Sequence, residues 1–430
     1  MKRVVILASA LLTVFSICVY AGPSKEQTAA GEKVNIVWYQ PGWIDQQAKQ
    51  ILEAYAKEKP NVLVNVIVGP STWDAHVTRT MLWIKTKYPG VDIAYQDDFF
   101  TLDGAAAGVW EDLTPYLSEN QKSDFVDIMQ NYKQMTGGIY RLPWWAGMSY
   151  IYYRKDLFAE AGLAVPKTWN EWLETGKKLT RDTKGDGVLD QWGYAGQGDV
   201  GQAYNAFMEF LYQAGGDDFK YAPNGKPDPA AKKALEMMRE VYQTISPSGV
   251  QTMQLEQTRA MLQEGKVAMV RDFGDFGAAL AQNRSIPVDV MNFPAGPAGP
   301  FGMGHSWGNV VNKYGANFQK HKEAVLDFAL FMIRPDMHKI TSTLDSPALR
   351  SLYTDSQFMK DFTTRNIVAP YTADWWKYRR VRKTPFGKAL EFYEGIGRMV
   401  VRTAMTKELT VDQGLAEMQK WIDPLIGASK

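Results

Sequence analysis

An α/β protein is predicted, built on a parallel sheet with helices on both sides. Three observations carry this. Between Lys33 and Tyr95 the pattern runs strand, helix, strand, helix, strand, which implies parallel pairing with helical crossovers. Asn61–Val68 is nearly all apolar and β-branched, as a strand covered on both faces must be. The 430 residues suffice for two or three domains, and 45% hydrophobic with 22% charged residues is a globular balance that excludes general disorder.

The N-terminus stands outside this pattern. Lys2-Arg3 precedes an apolar run from Val4 to Val14, then Val19-Tyr20-Ala21 before Gly22. That is the layout of a secretory signal peptide over residues 1–21. The run is shorter than the ~20 apolar residues that a membrane span needs. Lipid attachment at Cys18 is the alternative, but bulky Ile17 fits it poorly. Cleavage after Ala21 would leave a mature chain without cysteine, which excludes disulfides and thiol chemistry. It also removes two cations, so 48 basic residues become 46 against 47 acidic, a net charge of −1. No electrostatic footprint for nucleic acid or an acidic membrane is present. A neutral ligand follows as the simplest expectation.

Along the chain, Lys33–Gln40 is the first expected strand. After the Pro41-Gly42-Trp43 break, Ala48, Ile51, Leu52 and Tyr55 share one helical face, with Asp45 as the expected N-cap. A second helix is expected over Trp73–Lys85 and a third strand over Val91–Tyr95. Ligands of such sheets lie beyond the carboxyl ends of the strands. This draws attention to Gln40 and Trp43, and to Gln96-Asp97-Asp98, whose carboxylates could equally be helix caps.

Gly137–Trp172 combines a short strand ending at Leu142-Pro143, an aromatic run and a capped helix. Thr168 and Glu171 form a capping box that starts this helix at Trp169. Alternation sends Tyr152 and Tyr153 to opposite faces, one to the core and one to the surface. Asp182–Asp190 partly matches a calcium loop, but Lys184 and Gly193 stand where oxygen ligands belong, so it reads as a polar surface turn. Asp228-Pro229 opens a further helix. A strand from Lys266 delivers Asp272 and Phe273 to a glycine-rich loop. Val288–Phe293 is another strand, Trp307 follows in a Gly-rich segment, and the amphipathic helix Lys322–Arg334 is expected to end before Pro335.

Several segments together resemble the extracellular solute-binding proteins of carbohydrate ABC transporters. They are Gly138-Ile139-Tyr140-Arg141-Leu142-Pro143, Tyr153-Arg154-Lys155-Asp156-Leu157-Phe158, Glu264-Gly265-Lys266-Val267-Ala268-Met269, Phe293-Pro294-Ala295-Gly296-Pro297 and Gly304-His305-Ser306-Trp307-Gly308. The resemblance covers nearly the whole chain after the leader. It implies a two-lobe, type II-like periplasmic-binding-protein fold, each lobe a mainly parallel sheet flanked by helices. It further implies lobe 1 over 31–142 plus 288–345, lobe 2 over 143–287 plus 346–430, and hinge strands at Leu142-Pro143 and Phe293-Pro294. A neutral mono- or oligosaccharide would lie between the lobes, and a membrane permease would be the partner. A periplasmic or extracellular monomer without cofactor or metal is expected.

A sugar offers a C–H face to flat rings and hydroxyls to directional polar groups. On that chemistry the candidate ligand-binding residues are Gln40, Trp43, Asp97, Trp144, Trp145, Asp272, Phe273, Trp307, Trp375 and Trp376. Trp144 and Trp145 could instead wedge the hinge, whereas Trp169 and Trp172 fit helix packing. A glycoside hydrolase is the rival, with Asp97 and Asp272 as its conceivable carboxylate pair. A sugar sensor would use the same binding module. None of His76, His305, His321 and His338 sits in a nucleophile-elbow context.

Overall fold

The computed structural model describes residues 33–126, 133, 136–372 and 375–428. The expected signal peptide and Cys18 lie outside the described residues. The strands are β1 (Val34–Gln40), β2 (Val62–Val68), β3 (Ile93–Asp97), β4 (Leu142–Met148), β5 (Tyr150–Arg154), β6 (Met269–Asp272), β7 (Val288–Met291), β8 (Gly302–Val311) and β9 (Arg379–Val381). They form two sheets flanked by helices. The larger has the order β2-β1-β3-β8-β4, with β9 also on β8; the smaller is β6-β5-β7.

The start of the large sheet follows the sequence pattern. β1 pairs in parallel with β2 and β3, and the crossover helices are Asp45–Glu58 and Trp73–Thr86. Ala48, Ile51 and Tyr55 face the core as the periodicity requires. Asp45 is the first helical residue rather than the N-cap, and its carboxylate accepts a hydrogen bond from Gln40 Nε2 at 3.1 Å. β8 then runs antiparallel to both β3 and β4.

The small sheet departs from the expected mainly parallel arrangement. β5 is antiparallel to both neighbours. The chain enters β5 straight from β4, with only Ser149 between them. β6 and β7 flank it on either side and are joined through the helix Gly274–Gln282. A helical crossover leaves β6 and β7 pointing the same way, so the strand between them runs opposite to both.

The expected lobe boundaries also move. β4 stays hydrogen-bonded to β8 through Met148, so the chain changes sheets at Ser149 and not at Leu142-Pro143. Pro143 lacks an N–H, and the β4/β8 register shifts between Pro143 and Trp145. The proline therefore marks a bulge, a normal place for one within a strand. β7, assigned to the first lobe from sequence, pairs in the small sheet, whereas β9, assigned to the second, pairs in the large one. Pro294 lies in the connection between β7 and β8.

Two large cores accompany the sheets. The first packs the large sheet against the helices Asp45–Glu58 and Ala316–Phe331, through Trp38, Ile51, Tyr55 and Phe328. The second is mainly helical, around Trp172, Phe207, Leu235, Met238, Phe392 and Ile396. The capping boxes at Thr168/Glu171 and Thr410/Gln413 are both formed, and Asp228 caps the helix that Pro229 opens. Pro335 does not follow a helix directly. The preceding helix stops at Phe331, and Pro335 opens the next one. Tyr152 is buried with its hydroxyl on the Phe273 carbonyl oxygen, whereas Tyr153 lies half-buried against Phe158.

Candidate ligand site between the two sheets

The C-terminal end of β3 and the middles of β8 and β4 bring an aromatic group together by register. Trp307 lies opposite Asp97 on one side and Trp145 on the other. Paired residues share a face, and so do residues two apart on a strand. Tyr95, Asp97, His305, Trp307 and Trp145 therefore project from one face. The Trp307 ring stacks on Tyr95 with centroids 5.4 Å apart and 13° between planes. Trp145 leans on Trp307 at 6.2 Å and donates its indole N–H to the Tyr95 hydroxyl at 2.7 Å. Trp43, in the turn after β1, meets Trp307 edge-on at 5.7 Å. Trp43 and Trp307 are half-buried, whereas Tyr95 is fully buried beneath them.

Polar atoms border these rings. The Gln40 side-chain oxygen and His305 Nδ1 are buried and have no hydrogen-bond partner among the described residues. His305 Nε2 lies 3.0 Å from Asp345. Its ring meets Phe273, from the small-sheet side, at 4.6 Å. Phe273 in turn lies beneath the Arg271 guanidinium. Aromatic platforms beside unsatisfied polar atoms are the chemistry of a neutral, hydroxyl-rich ligand site.

Asp97 caps the helix Asp98–Ala106, accepting from the Phe100 N–H at 2.8 Å. Of the two roles open to it in sequence, the cap is thus formed. Burial and then the neighbouring Asp98 push its carboxyl up to about 7, against the pull of the Phe100 N–H, Arg382 and Arg141. Asp98 bonds to Arg382 at 3.1 Å, and Arg382 also reaches Asn205 at 2.7 Å. His76 joins the rings of Tyr39, Trp43 and Trp307, and burial pulls it down to about 3, keeping it neutral.

Two candidates do not sit as the sequence suggests. Asp272 is fully buried, and Arg259 clamps its two carboxylate oxygens at 2.7 and 2.8 Å. Its carboxylate is spent inside its own lobe. Trp144 is fully buried between Trp38 and Tyr95. The bulge at Pro143–Trp145 brings both tryptophans against Tyr95, so the inner one becomes core. Trp307 itself lies within β8 rather than in a Gly-rich loop, and Gly308 beside it is needed for close strand packing: a Cβ there would meet the Leu142 carbonyl oxygen at 2.0 Å. Trp375 and Trp376 form the first turn of a short helix, and their side chains lie outside the described residues.

Tyr95, His76, His305 and Arg382 were not among the sequence candidates. Tyr95 was within reach, because it lies two residues before Asp97 on the same strand and so shares its face. Nothing local marks His76, one residue in a helical pattern, or Arg382, which meets Asp98 across 284 residues. Asp182 and Asp190 spend their oxygens on the N–H groups of Lys184, Gly185, Gly187 and Thr183. Among the described residues no cluster of His, Cys, Asp or Glu is arranged to hold a metal ion.

Comparison with known proteins agrees with this architecture. The chain is 26% identical over 384 residues to a probable ABC transporter-binding protein of Deinococcus radiodurans, covering 81% of this chain and 89% of that protein. It is 27% identical over 232 residues to a mannitol-binding protein of Pseudomonas aeruginosa, covering 50% of this chain and 52% of the other. Among solved structures, the maltose-bound MalE3 of T. maritima shares the fold, with a TM-score of 0.76 and 22% identity over 91% of this chain and 99% of that one. A solute-binding protein of Agrobacterium vitis with bound D-mannitol matches at a TM-score of 0.71 and 18% identity, covering 92% and 98%. The family model for bacterial extracellular solute-binding proteins matches residues 41–339, and the chain belongs to that family.

Proposed function

We propose that this chain is the substrate-binding subunit of an ABC sugar importer. It binds a neutral mono- or oligosaccharide reversibly between the two sheets and hands it, unchanged, to a membrane permease. The observation that carries this is the ring cluster of Trp43, Tyr95, Trp145 and Trp307 on one face of adjacent strands, beside Gln40 and His305 atoms that have no partner among the described residues. The names of relatives support it, a mannitol-binding protein and a multiple sugar-binding protein of Streptococcus mutans among them. The bound maltose and D-mannitol of the structural neighbours point the same way.

The two candidate carboxylates for hydrolysis have other partners. Hydrolysis needs a pair of carboxylates across the scissile bond, and Asp272 is committed to Arg259 while Asp97 caps a helix. Binding is assigned to Trp43, Trp145, Trp307, Gln40, Asp97 and Phe273, with Tyr95 and His305 added. The protein acts as an exported monomer whose two lobes close on the ligand.

A thermal-shift screen over sugars and polyols tests this. A ligand at a hundredfold excess over Kd stabilises the folded state by about 2.7 kcal/mol. A shift with one or more sugars, recovered chemically intact afterwards, is the expected result. Cleaved sugar refutes the binding role. Shifts only with amino acids or metal ions refute the ligand class.

A further inference from the structure

The helix Ala389–Val400 has no cap of its own. Lys388, at its N-cap position, makes no side-chain hydrogen bond to the first turn. The first N–H groups of a helix need acceptors, above all when buried. Here a different helix supplies them. Asp103, in the helix that continues β3 of the large sheet, accepts from the Ala389 N–H at 2.8 Å and the Leu390 N–H at 3.1 Å, one with each carboxylate oxygen. Asp103 and Ala389 are both buried.

The surrounding contacts cross in the same direction. Helix Asp98–Ala106 belongs to two cores at once: Leu102 packs in the core of the large sheet, whereas Phe99 and Phe100 pack in the helical core of the other side. Phe99 meets Tyr393 at 5.2 Å and Tyr204 at 5.8 Å. Trp73, at the start of the second crossover helix, meets Tyr393 at 5.5 Å. Arg382 ties Asp98 to Asn205. Parting the two halves here would strip the Ala389 helix of its only side-chain cap among the described residues and break the Arg382 bond to Asn205.

We propose that Asp103 is a closure clasp. The chain reaches the closed arrangement without ligand, and Asp103 sets how often it does so. Affinity then depends on a residue that never touches the ligand. A ligand pays for the closing step in proportion to how rarely the closed form is already populated. The clasp rests on the fold alone and holds whatever the ligand is.

The test contains no ligand, so its outcome is separate from that of the sugar screen. Spin labels are placed on cysteines introduced at Leu82, on the second crossover helix of the large sheet, and at Val188, in the surface turn that precedes the bridge from Trp192 to Val267, exposed at 56% and 64%, in a Cys18→Ser background of the full chain. Electron-electron distance measurements then compare the parent with Asp103→Ala. Loss of one helix cap changes an equilibrium by about five-fold or more. The parent should show a short-distance population that falls by at least that factor in Asp103→Ala. Asp103→Asn, which keeps shape and burial but can accept from only one of the two N–H groups, should lower it in the same direction and serves if Asp103→Ala does not fold. A parent with no short-distance population, or distributions unchanged by both variants, overturns the clasp.

Discussion

Replacing Asp272 by alanine should cost stability and spare the ligand site. Asp272 is completely buried, and its two oxygens hold Arg259 Nε at 2.8 Å and Nη2 at 2.7 Å in a two-pronged pair. One oxygen also accepts from the Phe273 N–H at 2.7 Å. Breaking a buried pair from one side costs about 3–5 kcal/mol, because the surviving charge is left without its partner. Arg259 is 21% exposed and keeps Asp275 at 2.8 Å, so the lower end, about 3 kcal/mol, is expected. At about 2 °C per kcal/mol for a domain of this size, the melting temperature falls by about 6 °C. Differential scanning calorimetry of the unliganded protein reads the shift, and titration calorimetry with a sugar from the screen reads affinity. The expected pattern is a lower Tm with Kd within about three-fold of the parent, a difference of under 0.7 kcal/mol. An unchanged Tm with affinity lost a hundredfold would refute this reasoning, since it would mean that the carboxylate faces the ligand after all.

The rings separate in the same way. Trp307→Ala removes a half-buried ring stacked on Tyr95, and should cost about 1–2 kcal/mol of stability by calorimetry while weakening sugar binding at least ten-fold. Trp144→Ala empties a fully buried site, and should cost about 3–5 kcal/mol with little effect on the affinity of the folded fraction. Asp97→Asn tests a linkage. The folded Asp97 carboxyl sits at about 7 against an ordinary 3.8, so the folded state holds the proton more tightly than the unfolded one. The resulting stability is complete below about pH 4, is lost as pH rises to about 7 and amounts to no more than about 4 kcal/mol. The Tm of Asp97→Asn relative to the parent should therefore climb between pH 4 and 7 and level off above, and a flat difference would exclude the raised value. Thr168→Ala removes half of a formed capping box and should lower stability by about 1 kcal/mol in denaturant melts, with unchanged sugar binding.

What could be read from the chain, and what could not, divides along sequence distance. The box at Thr168 and the cap at Asp228 are decided by residues within a few positions of one another, and each forms as its pattern requires. Strand β2 forms where its apolar run lies, but as the edge of the large sheet with only Val64 buried, so it is not covered on both faces as its composition suggested. The ring cluster was only half legible. Trp43, Trp145 and Trp307 announce themselves as aromatics beside Pro and Gly, but Trp145 and Trp307 prove to lie within strands, and Tyr95 joins them because β3 and β8 pair in one particular register. The pair Trp144-Trp145 shows why alternation alone misleads. A proline without an N–H shifts the register beside it, both indoles come to Tyr95, and only the outer one stays near the site. Asp272 fails for a different reason. A carboxylate at the end of a strand beside an aromatic is what a sugar site needs, but it is equally what a buried arginine needs. The arginine that takes it, Arg259, stands 13 residues away on another element, inside an ordinary helical pattern. Asp103 lies further beyond local inference, since its partners follow by 286 and 287 residues. Contacts of that span are also the ones that can change when two halves of a chain move. The parts of this molecule hardest to read from sequence are therefore the ones on which the proposed closure depends.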